Sequence, residues 1–326
     1  MDLSVCITTY NLADVIDETL ESVFAQEIEY SYEVLIGDDG SSDGTMARIL
    51  EWEERYPGKI RHYQMPREQG KKYNPIFRAS ENRANLLKYA EGTYITFLDG
   101  DDFYIDTHKL QKQIDILEKH PDCSVCAHNL NLYFPDGTTR PMSVAAVAEG
   151  KIKARSYWAR GCYVSAEACV MRRNDLVMTP QFHRYFDDNF IVFLALQHGD
   201  MYYIPEEMGN YRQNAEGFLT VEKKKMSIIN MLDCDIEIQY NPSWKYAALK
   251  RHVFEYLFLR KAKESNLCEK YCDLYQQAVE DDCKCVLALL QNDVSLKMDL
   301  QMVYCLVWRY LHRIVRKMRK ILTNVI

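Results

Sequence analysis

Asp38–Thr45 (DDGSSDGT) and Phe97–Phe103 (FLDGDDF) each end a short apolar run, Glu33–Gly37 in the first case and Thr93–Leu98 in the second. Both runs are rich in β-branched and aromatic residues and read as buried strands. In an open α/β sheet, carboxylates at the C-terminal ends of strands stand where such sheets bind ligands. Several carboxylates gathered there repel one another unless a cation or a hydrogen-bonding ligand joins them. That points to a divalent metal holding a nucleotide diphosphate. Asp-Gly and Asp-Asp are also ordinary turn chemistry, and a lone D-x-D says little. A phosphatase that places D-x-D after a strand needs D-x-D-G-T/S. Here Asp99-Gly100-Asp101 runs on into Asp102-Phe103, and Asp38-Asp39 lacks the intervening residue.

Working outward, Leu3–Asn11 (LSVCITTYN) reads as an N-terminal strand ending in a polar turn. A helix follows, with Val15, Ile16, Thr19, Leu20, Val23 and Phe24 on one face. In order, VCITTYN, VLIGDDGSSDGT and AEGTYITFLDGDD resemble the family-2 glycosyltransferases of bacterial surface-polysaccharide type, which have the GT-A nucleotide-sugar fold. The resemblance covers roughly Leu3 to Arg212, and Asp106–Gln113 looks like the helix that follows the family's D-x-D. It implies an α/β fold with a mainly parallel sheet between helices.

Composition fits a soluble enzyme. With 326 residues and 48% hydrophobic content, the chain can bury one large core and a small second one. No apolar stretch is long enough to span a bilayer, and no signal-peptide pattern opens the sequence. The expected compartment is the cytoplasm, where the eleven cysteines stay reduced. Cys268, Cys272, Cys283 and Cys285 can be drawn as a zinc site, but their spacing suits buried helix cysteines better. Strands alternate with helices from Met1 to about Gly217, including helices over about Gly44–Arg55 and Ile76–Tyr89. Ala154–Trp158 should open the acceptor half, and Cys162–Met171 reads as a further strand. The expected division is a catalytic domain at 1–217 and a helical C-terminal region at 218–326.

Sugar transfer from a nucleotide needs the diphosphate to leave as an anion, and a bound Mn2+ or Mg2+ stabilises that charge. Asp101 is the expected direct ligand, with Asp102 or Asp99 assisting through water or the ribose. The resemblance implies that Asp39 recognises the base of a UDP-sugar and that Thr8 and Tyr10 line the nucleoside. Tyr10 as plain core packing is the competing reading. Arg78 and Arg83 are expected to pair with the nucleotide unless they form a solvated helix face, and Lys71-Lys72 is a further basic pair within reach. An inverting mechanism also requires a carboxylate near the acceptor hydroxyl. Asp187 and Asp188 open the apolar helix beginning Asn189-Phe190-Ile191. Asp188 aligns with the family's base and Asp187 reads as the cap, with the reverse assignment open. Asn189 stands where relatives often carry tryptophan. His128 is either a metal ligand or a hydrogen-bonded structural histidine.

From Leu300 onward, apolar residues recur on one helical face from Val303 to Val325. Arg309, Arg313, Arg316, Lys317, Arg319 and Lys320 add six positive charges, with no acid after Asp299, in a chain of net charge −7. This fits a helix lying in the headgroup plane at the inner face of the plasma membrane, or one packed on a protein surface. The expected partners are a nucleotide-sugar donor, a glycan or polyprenyl-linked acceptor and the membrane surface, with no nucleic acid. Acceptor selectivity is assigned to Met142–Gly150 and Tyr211–Thr220. Two other functions compete: a nucleotidyltransferase, for which Thr8–Asn11 lacks a glycine-rich triphosphate loop, and a non-catalytic nucleotide-sugar-binding module.

Overall fold

Seven consecutive buried residues, Leu3–Thr9, form β1, as suits a strand covered on both faces. The computed structural model describes residues 1–142, 148–160, 164–213, 223–262 and 267–323. Helix α1 (Ile16–Phe24) turns Ile16, Thr19, Leu20 and Val23 inward, and the chain returns as β2 (Tyr32–Asp38), parallel to β1. Helix α2 (Thr45–Arg55) leads to β3 (Ile60–Gln64), which adds outside β2. Helix α3 (Pro75–Tyr89) starts with Asn74 capping Ile76 N at 3.1 Å and with proline in its first turn. It carries the chain back across to β4 (Tyr94–Asp99), on the other side of β1. The order β3-β2-β1-β4 therefore reverses at β1, where ligands bind in open α/β sheets.

The sheet continues with mixed direction. After β5 (Phe103–Tyr104) and α4 (Lys109–Lys119) come β6 (Cys123–Tyr133), β7 (Thr139–Pro141) and β8 (Gly150–Ile152). Helix α5 (Ala154–Arg160), β9 (Cys169–Arg172), α6 (Asp188–Ala195) and β10 (Asp200–Arg212) follow. Strand β9 runs antiparallel to both β4 and β6, and β10 lies parallel to β6. The strand expected over Cys162–Met171 starts only at Cys169, after a 3-10 turn at Ala166–Ala168. Side chains take the carbonyls there: Gln113 Nε2 donates to Ala168 O (2.9 Å) and Thr96 Oγ1 to Cys169 O (2.8 Å). After α6 the chain enters the long β10, which bulges between Ile204 and Glu207. Pro205 lies in that bulge, where its missing N–H costs no ladder bond.

The chain forms two compact units, Met1–Ala154 with Tyr163–Ala215, and Arg155–Cys162 with Glu216–Ile326. The first holds the sheet. The second comprises α7 (Lys223–Tyr240), α8 (Lys245–Arg251), α9 (Val253–Ala262), α10 (Leu267–Lys270), α11 (Cys272–Glu280), α12 (Lys284–Leu290) and α13 (Leu296–Thr323), together with most of α5. The segment from Arg155 thus belongs with the helices. Its buried Trp158 needs a partner for the indole N–H and finds Glu237 Oε2 at 2.7 Å. His252 holds the other Glu237 oxygen at 3.2 Å.

Candidate active site

Parallel register brings the two aspartate strings level. Thr8 stands opposite Gly37 and Asp99, and Thr9 opposite Asp38. Gly100 allows the close approach of β4 to β1: its N–H donates to Thr8 O at 2.8 Å, and a Cβ would lie 2.7 Å from Thr9 Cγ2. Asp38 is structural, accepting from Ser41 N (2.9 Å), Gln64 Nε2 (3.1 Å) and Thr9 Oγ1 (3.2 Å). Asp43 closes the string by accepting from Thr45 N at 2.9 Å. Asp39 is buried between two guanidinium groups, with Arg67 NH2 at 2.5 Å and Arg78 Nε at 2.8 Å. The Arg67 guanidinium lies 3.8 Å from the ring centre of Tyr10, whose surface is 43% exposed. Tyr73 sits beside both arginines. Lys71 lies on the surface, paired with Glu68.

On the other side of β1, Thr8 Oγ1 donates to Asp99 Oδ1 at 2.7 Å. Arg83, from α3, puts one nitrogen 2.7 and 2.9 Å from the two Asp99 oxygens and 3.5 Å from Asp188 Oδ1. Burial disfavours that charge, but Asp99, Asp188 and Asp187 outweigh it and hold the guanidinium firmly protonated. Asp187 is the N-cap of α6, accepting from Phe190 N at 2.9 Å, and Asp188 is the first helical residue.

Behind Asp101, Arg212 clamps the loop. Its backbone N–H donates to Asp102 Oδ1 (2.7 Å), its Nε donates to Asp101 O (2.8 Å), and its NH2 group pairs with Glu18. The buried Asp102 faces Glu167 from the 3-10 turn, and burial pushes the Glu167 carboxyl up to about 8. Burial and the Glu167 charge lift the Asp102 carboxyl as well. Tyr211, beside these carboxyls, has its hydroxyl pushed up by burial and then by Glu167, Asp102, Asp99 and Asp188. Glu167 was not singled out in the sequence. The signal available was one acid in an otherwise small and apolar run, Ala166-Glu167-Ala168-Cys169. Arg67, alone in a polar loop, left no pattern.

Residues 4–177 match the Glycosyl transferase family 2 model. The chain belongs to that family. An uncharacterized protein of Mycobacterium tuberculosis is 28% identical over 225 residues, 66% of this chain and 60% of that protein. The Escherichia coli UDP-Glc:alpha-D-GlcNAc-diphosphoundecaprenol beta-1,3-glucosyltransferase WfgD is 33% identical over 118 residues, 36% of this chain and 42% of that enzyme. The chain thus spans about 60% of the length of the mycobacterial relative. In fold it resembles Staphylococcus aureus TarS 1–349 in complex with UDP-GlcNAc (TM-score 0.60, 18% identity, covering 95% of this chain and 88% of that one). It also resembles a Pyrobaculum calidifontis mannosyltransferase in complex with GDP-Man and Mn2+ (TM-score 0.51, 16% identity, covering 94% and 86%).

In this family-2 chain, no group of three or more His, Cys, Asp or Glu side chains among the described residues is placed to hold a metal. Asp99 is engaged by Arg83 and Thr8, and Asp102 by Arg212. A divalent ion that keeps waters and uses one carboxylate plus phosphate oxygens does not require such a group. His128 is buried in β6, with Nδ1 2.5 Å from Asn129 O, and burial holds its pKa well below the usual range. Cys272 is exposed and Cys283 buried, while Cys268 Sγ lies 3.1 Å from Leu290 O. No helix among the described residues is long and apolar enough to cross a membrane.

On α13, Leu300, Val303, Tyr304, Val307, Tyr310, Leu311 and Ile314 are all exposed. Arg309 donates to the carbonyls of Lys250, Arg251 and Arg160. The side chains of Arg313, Arg316, Lys317, Arg319 and Lys320 lie outside the described residues, as do most of the acceptor segments at 143–147 and 214–220.

Proposed function

We propose that this protein is a metal-dependent inverting glycosyltransferase that moves a sugar from a nucleotide-diphosphate donor, a UDP-sugar, to a lipid-linked or polysaccharide acceptor of the cell surface. The observation that carries the reading is the meeting of Asp188, Asp99 and Arg83: one buried guanidinium lies within 3.5 Å of carboxylates from β4 and from α6. A donor carboxylate and a base carboxylate are then within one substrate length of each other. Mn2+ or Mg2+, held by Asp101 with Asp102 behind it, would neutralise the charge of the departing diphosphate. Asp39 with Arg78 would read the edge of the base, Tyr10 would stack on it, and Thr8 and Asp99 would hold the ribose. Asp188 takes the proton of the acceptor hydroxyl as its oxygen attacks the anomeric carbon. The nucleoside diphosphate leaves from the opposite face, inverting the configuration.

Residues 1–217 are assigned this chemistry, with 218–326 as a helical appendage. The exposed apolar stripe of α13 and the basic residues in its sequence favour residence on an anionic membrane at the cytoplasmic face, beside a polyprenyl-linked acceptor. A mass-spectrometric screen of UDP- and GDP-sugars with undecaprenyl-linked acceptors tests the function. It is supported by a glycosylated product and refuted by triphosphate consumption with pyrophosphate release, or by binding without turnover. Liposome flotation of the full chain against one ending at Asp299 tests the anchor, and equal flotation of the two forms would refute it.

A further inference from the structure

The same pocket assigns Arg83 a task that sequence reasoning gave to the nucleotide. Its helix is pinned immediately before it: Asn82 Nδ2 donates to Gly37 O at 2.7 Å, tying α3 to β2, and Asn82 and Ala84 are both buried. The Arg83 side chain is 8% exposed, so little of its surface meets an incoming ligand. One terminal nitrogen serves both Asp99 oxygens and stands 3.5 Å from Asp188 Oδ1. Around it lie Asp99 on β4 and Asp187 and Asp188 at the start of α6, and Glu167 and Tyr211 lie within the field of Asp188.

We infer that Arg83 is a positioning residue that fixes the Asp188 carboxylate relative to Asp99, and is not a ligand of the nucleotide. The inference rests on reading Asp188 as the base. Two carboxylates on different elements repel each other, and a guanidinium bound to Asp99 on β4 and close to Asp188 on α6 lies between them. It sets the distance from the base to the donor and offsets the repulsion. A misplacement of about 1 Å at a reacting group costs roughly 100-fold in rate, so the effect falls on turnover and not on donor affinity.

The test is steady-state kinetics of nucleoside diphosphate release on the full chain, with UDP binding in Mn2+ measured alongside. Arg83→Gln is expected to lower kcat about 100-fold while the Kd for UDP stays within about threefold, with Arg83→Lys recovering part of the loss. Adding Arg83→Gln to Asp188→Asn should cost nothing further, because the group to be positioned is already disabled. A tenfold or larger rise in the UDP Kd with kcat near wild type would make Arg83 a nucleotide ligand and overturn the inference. So would full activity of Arg83→Gln while Asp188→Asn is inactive. Normal turnover by Asp188→Asn would instead overturn the assignment of the base. If Arg83→Gln does not melt cooperatively, Arg83→Lys is judged by the same split between kcat and Kd.

Discussion

Replacing Gly37 by alanine attacks the joint on which this site hangs. A Cβ at that position would lie 2.1 Å from Asn82 Oδ1 and 2.9 Å from its Cγ, closer than real atoms approach. Gly37 is flanked by β1 and β3, and Asn82 is buried on α3, so neither retreats freely. The amide must swing away from Gly37 O, leaving buried polar groups without partners at about 1–3 kcal/mol. Overpacking of the surrounding core adds about 1–3 kcal/mol. The total is about 2–6 kcal/mol, which at about 2–4 °C per kcal/mol predicts a fall in melting temperature of roughly 5–20 °C. Turnover should fall as well, because Arg83 follows Asn82 on the displaced helix. Differential scanning fluorimetry reads the first effect. Gly37→Ala combined with Asn82→Ala should cost less than the two changes summed, since the clashing amide is gone. A Gly37→Ala melt within 2 °C of wild type, or strict additivity in the double variant, would refute the reasoning.

Asp101→Ala should lower metal-dependent turnover by several orders of magnitude with an unchanged melt, and near-normal activity in added Mn2+ would remove it from the metal. Asp187→Ala should cost about 1 kcal/mol of stability through the lost cap, with Asp187→Asn nearly neutral; collapse of transfer in Asp187→Asn would instead make Asp187 the base. Lys109 is wholly buried against Tyr104, and burial brings its pKa down to about 7. Its folded value lies below the unfolded one, so the native state binds fewer protons between about pH 7 and 10.4, and stability rises with pH across that window. Lys109→Met should therefore raise the melting temperature at pH 7, the cost removed being about 4 kcal/mol, with the gain shrinking toward pH 10. A destabilised Lys109→Met at pH 7 would count against that account.

The parallel half of the sheet was legible because β1, β2 and β4 are short, mostly apolar runs whose ends carry the motifs, so burial and chemistry announced the same positions. Asp187 as the helix cap was legible too, since a cap precedes its helix by definition. What the sequence hid depends on contacts made across the fold. Glu167 faces Asp102 from the 3-10 turn at Ala166–Ala168, and the Ala168 carbonyl there accepts from Gln113, a residue far away in the sequence. Arg83 carries no local sign that its charge faces protein carboxylates in place of a phosphate. Likewise Trp158, on a helix between two strands, gives no hint that its partner is Glu237 in the helical unit.

The central claim is that Asp101 and Asp188 serve one metal-dependent sugar transfer, and the most direct measurement is nucleoside diphosphate release. Wild type, Asp101→Ala and Asp188→Asn would be compared on UDP-GlcNAc, UDP-glucose and GDP-mannose, with EDTA and with Mn2+ restored. The account predicts release by wild type that EDTA abolishes and Mn2+ restores. It also predicts loss of release in both variants, with UDP binding kept by Asp188→Asn. Release that ignores EDTA, or that survives Asp188→Asn, would contradict it.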